Sequence, residues 1–128
     1  MFSVKPNHYL VLAWSLVICI ISLSLLPGGS IPKYSWLDFL AIDKIGHFIF
    51  YGSTAWSFLK YFKLQNQKTS LWKIGIPLFF LGVLLESLQY FLHQGRSFDL
   101  FDVLANSLGV ICGLRCFDFV FRIFLKGK

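Results

Sequence analysis

The stretch from Trp72 to Leu92 reads WKIGIPLFFLGVLLESLQYFL, with one lysine at its start, one carboxylate near its end and no other charge. An apolar run of this length meets the roughly 20 residues a helix needs to cross the hydrocarbon of a bilayer. Three more runs flank it, Tyr9–Leu26, Ile45–Phe62 and Val103–Leu125, each approaching or exceeding the same length. The sequence therefore predicts an all-α polytopic membrane protein, one domain over residues 1–128, with four transmembrane helices.

Composition agrees with that reading. Of the 128 residues 56% are hydrophobic and only 14% charged, where a soluble domain carries about a quarter charged. Mean hydropathy is +0.67. A core this small cannot hide such an apolar excess, whereas a lipid-facing exterior has no need to. The net charge of +6 sits at the ends of apolar runs and not along one polar face. That distribution excludes a nucleic-acid partner and suits anionic headgroups and topology control. Cys19, Cys112 and Cys116 all lie within apolar runs and read as small buried hydrophobes.

Lys5 precedes the first run as in a signal peptide. The run exceeds a usual signal core, however, and Pro27-Gly28-Gly29 lacks a small-x-small cleavage pattern, so the run reads as a retained helix. Orientation follows from the short loops. Lys5, the acid-free set Lys60, Lys63, Lys68 and Lys73, and the C-terminal Arg115, Arg122, Lys126 and Lys128 mark one side. The positive-inside rule places these segments and both termini in the cytoplasm. The outer loop Pro27–Asp43 is longer than a turn, and its Ser35–Leu40 segment is expected to form a short helix at the membrane interface. Pro77 falls early in the third run, where it is able to kink a helix.

Polar residues gather at one end of these runs. Asp43, His47 and Tyr51 are four apart and share a face of the second helix; Glu86, Gln89 and His93 do the same on the third; Asp99, Asp102 and Asn106 open the fourth. Gly109 and Gly113 prolong the last stripe and permit close helix approach. Arg96 lies in the loop above. At 1.5 Å per residue Glu86 stands about 10 Å below the outer end of its helix. An ionised carboxylate among lipid tails costs about 2.5 kcal/mol or more, so Glu86 must face the bundle and find a partner. Each residue also has a plainer reading. Asp43 and Asp99 are equally suited to helix N-caps, His47 to a hydrogen-bonded core residue, and Gln89 and Asn106 to interhelical amide bonds.

The string Asp43-Lys44-Ile45-Gly46-His47-Phe48-Ile49-Phe50-Tyr51 resembles the Asp-Lys-x-x-His-x-x-x-Tyr signature of the VanZ-like membrane proteins. Glu86-Ser87-Leu88-Gln89, then Arg96 through Asp102 and Asn106-Ser107-Leu108-Gly109, resemble that family's second block, in order. The resemblance implies a multi-pass protein of the bacterial cytoplasmic membrane. The founding members are associated with lowered susceptibility to teicoplanin, a lipoglycopeptide acting on cell-wall precursors outside the membrane. It brings no reaction with it.

Two functions compete. In the first, the cluster is a site for a lipid headgroup or lipid-linked envelope precursor. Asp43, Lys44, Tyr51, Gln89, Arg96, Asp99 and Asn106 then bind the ligand, and Glu86, His47 and Asp102 are the candidate catalytic residues. A hard divalent cation such as Mg²⁺ or Mn²⁺ suits His47, Glu86, Asp99 and Asp102 as ligands. Lacking a Ser-His-acid arrangement, such a site is expected to activate water, with His47 or Glu86 as base. In the second, the same residues form a structural network that locks helices. A proton pathway ranks last, because the inner halves of the second and third helices offer little polar continuity.

Overall fold

The computed structural model describes residues 5–26, 36–92, 98–116 and 119. Four α-helices carry the chain, α1 (Pro6–Ser24), α2 (Trp36–Leu64), α3 (Trp72–Phe91) and α4 (Leu100–Arg115), with no strand among the described residues. The all-α class is as the sequence predicts.

Local chemistry sets the helix ends. Pro6 opens α1 at a position where the missing N–H costs nothing, and the Lys5 backbone N–H donates to His8 Nδ1 at 3.2 Å. The chain leaves α2 through Asn66 in the left-handed region, φ 54°, which Asn tolerates well. Its N–H donates to the Lys63 carbonyl and that of Gln67 to the Phe62 carbonyl, which together satisfy two terminal acceptors of the helix. The α3 helix runs unbroken through Pro77. At α4, the Asp99 Oδ1 accepts the Phe101 N–H at 2.8 Å, so the helix starts at Leu100, three residues before the apolar run.

Two expectations change. Residues 36–40 do not form a separate interfacial helix; they are the first turns of α2, which continues to Leu64. Leu-Asp-Phe-Leu-Ala-Ile-Asp-Lys contains neither Gly nor Pro, so nothing in it stops a helix. At 29 residues α2 is about 43 Å long, well beyond the hydrocarbon thickness. Asp43 consequently lies inside α2 and cannot be its N-cap, whereas Asp99 is the cap of α4. The expected continuation of the fourth helix to Leu125, together with His93 and Arg96, lies outside the described residues.

The α2 helix is the organiser, packing most extensively on α4 and next on α1, while α3 lies chiefly on α4. Gly109 and Gly113 sit directly on the α2 backbone. A Cβ at Gly109 would stand 3.0 Å from the Phe48 Cα and nearer still to its carbonyl oxygen, and one at Gly113 would meet Gly52 likewise. The small-residue stripe thus brings α2 and α4 to backbone contact. Ile20, Tyr51, Ala55, Leu59, Ile74, Leu78, Leu85 and Val110 form the apolar core between the helices.

The exterior is also apolar. Only Ala13, Val17, Ile20 and Ser24 of α1 are buried, leaving Val11, Trp14 and Ile18 turned outward. Phe80, Phe91, Phe101 and Ile111 are exposed on α3 and α4. Thr54 and Ser57, fully buried, return their hydroxyls to the Phe50 and Ser53 carbonyls four residues back, and Ser87 and Ser107 do the same to Val83 and Val103. Hydroxyls satisfied within their own helix ask nothing of water. Two helices, α1 and α3, are long and apolar enough to cross a membrane.

Candidate functional site

The site forms where one end of α2 meets the C-terminal end of α3 and the start of α4. Spacings of three and four residues put Lys44, His47 and Tyr51 on one face of α2, where Lys44 and His47 meet Asp102 and Asn106 of α4, themselves four apart. Lys44 is the hub. Its Nζ donates to Asp99 Oδ2 and to Asp102 Oδ1, each at 2.7 Å. The Asp102 side chain is 9% exposed, while those of Lys44 and Asp99 are 26% and 27% exposed. Burial alone would lower the Lys44 pKa, but the two carboxylates outweigh it and hold the ammonium above its usual value. At Asp99 burial pushes the carboxyl up, yet Lys44 and the Phe101 N–H outweigh it, and the group stays below the usual carboxylate range.

One turn deeper, His47 Nδ1 lies 2.9 Å from Asn106 Oδ1. A carbonyl oxygen only accepts, so Nδ1 carries a proton, and in the neutral ring the lone pair is on Nε2. Nε2 faces Asp43, whose Oδ1 is 3.8 Å away. Asp43, His47 and Asp102 each offer one ligand atom within 4.8 Å of the others. Tyr51 is buried against α3 beside Gly82, which has no side chain to block it; Asn106 fills the other side of that glycine.

Glu86 lies among these groups at 2% exposure, and its Oε2 has no hydrogen-bond partner among the described residues. Asp102, His47 and Asp43 are the side chains whose charges act on it, together with the backbone N–H of Asp99. Gln89, one turn along α3, turns elsewhere: its Nε2 donates to the Ser24 carbonyl at 2.7 Å and ties α3 to the end of α1. That contact was not legible beforehand, because α1 carries no motif and the acceptor is a backbone atom.

Of the residues singled out in the sequence, Asp43, Lys44, His47, Tyr51, Glu86, Asp99, Asp102 and Asn106 come together. Gln89 borders them and makes its bond to α1. Arg96 lies outside the described residues. The described part of the cluster holds four carboxyls against one ammonium.

Apolar outside, with its buried carboxyls gathered where α2, α3 and α4 meet, this bundle has the character of a membrane helical protein. The sequence profile of the VanZ/LLP1 family matches residues 6–123, and the chain belongs to that family. Family and the two apolar helices together point to a membrane protein. No curated protein and no solved structure matches the chain at a significant level.

Proposed function

We propose that this chain spans the bacterial cytoplasmic membrane four times, both termini inside, and uses the cluster to bind a phosphate-bearing lipid headgroup or lipid-linked envelope precursor. In this reading the spans are α1, residues 45–62 of α2, α3, and α4 with its continuation, and the site opens to the outer leaflet. The observation that carries it is the Glu86 carboxylate, fully buried at the meeting of three helices with one oxygen unpartnered. A finished structural network leaves no such group, since an unmet buried acceptor costs about 1–3 kcal/mol and more when charged. A ligand that supplies the missing donor or cation removes that cost. Glu86, with its free oxygen, is also the group placed to take a proton from water near the headgroup.

A second reading has observations of its own. Lys44 with Asp99 and Asp102, and His47 with Asn106, already tie α2 to α4, and Gln89 with Ser24 ties α3 to α1. On that reading the cluster only locks the bundle.

Thermal unfolding of the purified protein in mild detergent separates the two. Wild type, Glu86→Gln and His47→Ala are compared with phosphatidylglycerol or a polyprenyl phosphate, each with and without a divalent cation. A lipid at about a hundred times its dissociation constant stabilises the folded state by about 2.7 kcal/mol. The headgroup reading expects that gain in wild type and its loss in Glu86→Gln, which still folds. No gain in wild type, with both variants melting far earlier, leaves the structural network.

A further inference from the structure

The headgroup reading leaves a difficulty of sign, because a phosphate does not enter a pocket of four carboxyls and one ammonium unaided. Lys44 divides its single charge between Asp99 and Asp102, and among the described residues it makes no ion pair with Asp43 or Glu86. Among the described residues no cation stands on the side of the cluster away from Lys44. Three features meet there.

The first is ligand geometry. One atom each from Asp43, His47 and Asp102 lies within 4.8 Å of the others. Ligands about 2.1 Å from a common ion stand about 3 to 4 Å apart, so small side-chain rotations close the set. The second is the tautomer of His47. Its Nδ1 proton is held by Asn106 Oδ1 at 2.9 Å, so in the neutral ring it is Nε2, on the Asp43 side, that has a lone pair to give. A ligating histidine is oriented by such a second-shell acceptor on its other nitrogen. The third is independent of the cluster's charge: Glu86, 2% exposed, presents an Oε2 without a partner to the same group of residues.

We infer that Asp43, His47 and Asp102 bind one divalent transition ion of the Mn²⁺ type. Glu86 accepts a hydrogen bond from a water on that ion or completes its shell. Resting on the headgroup reading, this identifies the group that lets a phosphate approach. Two carboxylates with one imidazole favour Mn²⁺ over Mg²⁺ or Ca²⁺, which prefer oxygen alone. Asp102 is shared, with Oδ1 on Lys44 and its other oxygen left for the ion. Asp99 stands outside the set, since Lys44 and the Phe101 N–H occupy its two oxygens.

The test is titration of the full-length protein in detergent, free of phosphate and lipid, with Mn²⁺ alone. Loss of the free-ion paramagnetic resonance signal counts bound ions. One ion per chain is expected for wild type and for Ser87→Ala, whose hydroxyl only returns to the Val83 carbonyl, with binding at least tenfold weaker in Asp43→Asn and His47→Ala. Asp43 makes no hydrogen bond among the described residues, so Asp43→Asn is the variant least able to fail by misfolding, and its melting curve is recorded alongside. Undiminished binding in Asp43→Asn and His47→Ala, or no saturable binding in wild type, overturns the inference. The two readings fail separately. Mn²⁺ bound as expected with no lipid stabilisation sinks the headgroup reading alone, and lipid stabilisation in chelator without Mn²⁺ binding sinks this one alone.

Discussion

Substituting Gly109 by alanine tests the contact on which the site depends. The new Cβ would stand 3.0 Å from the Phe48 Cα and carbonyl carbon, where ordinary contact begins at 3.4 Å. The carbon contacts alone therefore demand that α2 and α4 part by 0.4 Å, the difference of those two distances, and the nearer carbonyl oxygen demands more. All three atoms are backbone, so no rotamer relieves the overlap. Overpacking of this kind costs about 1–3 kcal/mol. Replacing a helical glycine by alanine also gains about 0.5–1 kcal/mol. Gly46→Ala isolates that gain, because a Cβ there has nothing within 4 Å. The gap in stability between the two variants should then equal the steric cost, about 1–3 kcal/mol, with Gly46→Ala the more stable. Reversible unfolding in mixed detergent and dodecyl sulfate micelles measures it. His47 precedes Phe48 and Asn106 lies one turn before Gly109, so the same parting stretches their 2.9 Å bond. The imidazole Nδ1 proton should broaden or disappear in Gly109→Ala and persist in Gly46→Ala. Equal stability of the two variants would refute backbone contact between α2 and α4.

Other outcomes follow from the charges and amides. Lys44→Met leaves Asp102 and Asp99 without their ammonium and should cost about 1.5–3 kcal/mol, the range for hydrogen bonds to charged groups; an unchanged melting curve would remove Lys44 as the hub. Asp99→Asn should cost less than Lys44→Met, since Asn still caps the helix and the side chain there is 27% exposed. The stability difference between wild type and Asp99→Asn should also depend on pH with a definite sign. The Asp99 pKa is lowered in the folded state, so its contribution is complete above the unfolded value of about 3.9 and is lost as pH falls through the lower folded value. Groups other than Asp99 titrate in both proteins and cancel, and a difference that grew on acidification would contradict the Lys44 pairing. Gln89→Leu should cost about 1 kcal/mol by cutting α3 from the Ser24 carbonyl. It should spare Mn²⁺ binding, which titration of the variant would check.

Much of this protein is written in its apolar runs. Cores of α1, α2 and α3 follow directly from stretches too long and apolar for any other element, and the spacing of Asp43, His47, Tyr51, Glu86, Asp102 and Asn106 states which faces turn inward. Such statements are local, resting on helical periodicity and the cost of a charge in hydrocarbon. The helix starts were less legible. Nothing in the composition said whether Trp36–Leu40 would join α2 or lie apart, and the N-cap role open to both Asp43 and Asp99 fell only to Asp99. Which polar residue meets which was decided by tertiary packing alone. Lys44 bridging Asp99 and Asp102, His47 taking Asn106, and Gln89 reaching Ser24 all depend on how far α2, α3 and α4 slide and rotate against one another. That geometry is set by the backbone approach at Gly109 and Gly113, each 61 residues along the chain from the α2 residue it touches. A contact between residues so far apart leaves no periodicity to read. The sequence announces that small residues are available, and only the packed helices determine which partner they admit and which carboxylate oxygen is left without one.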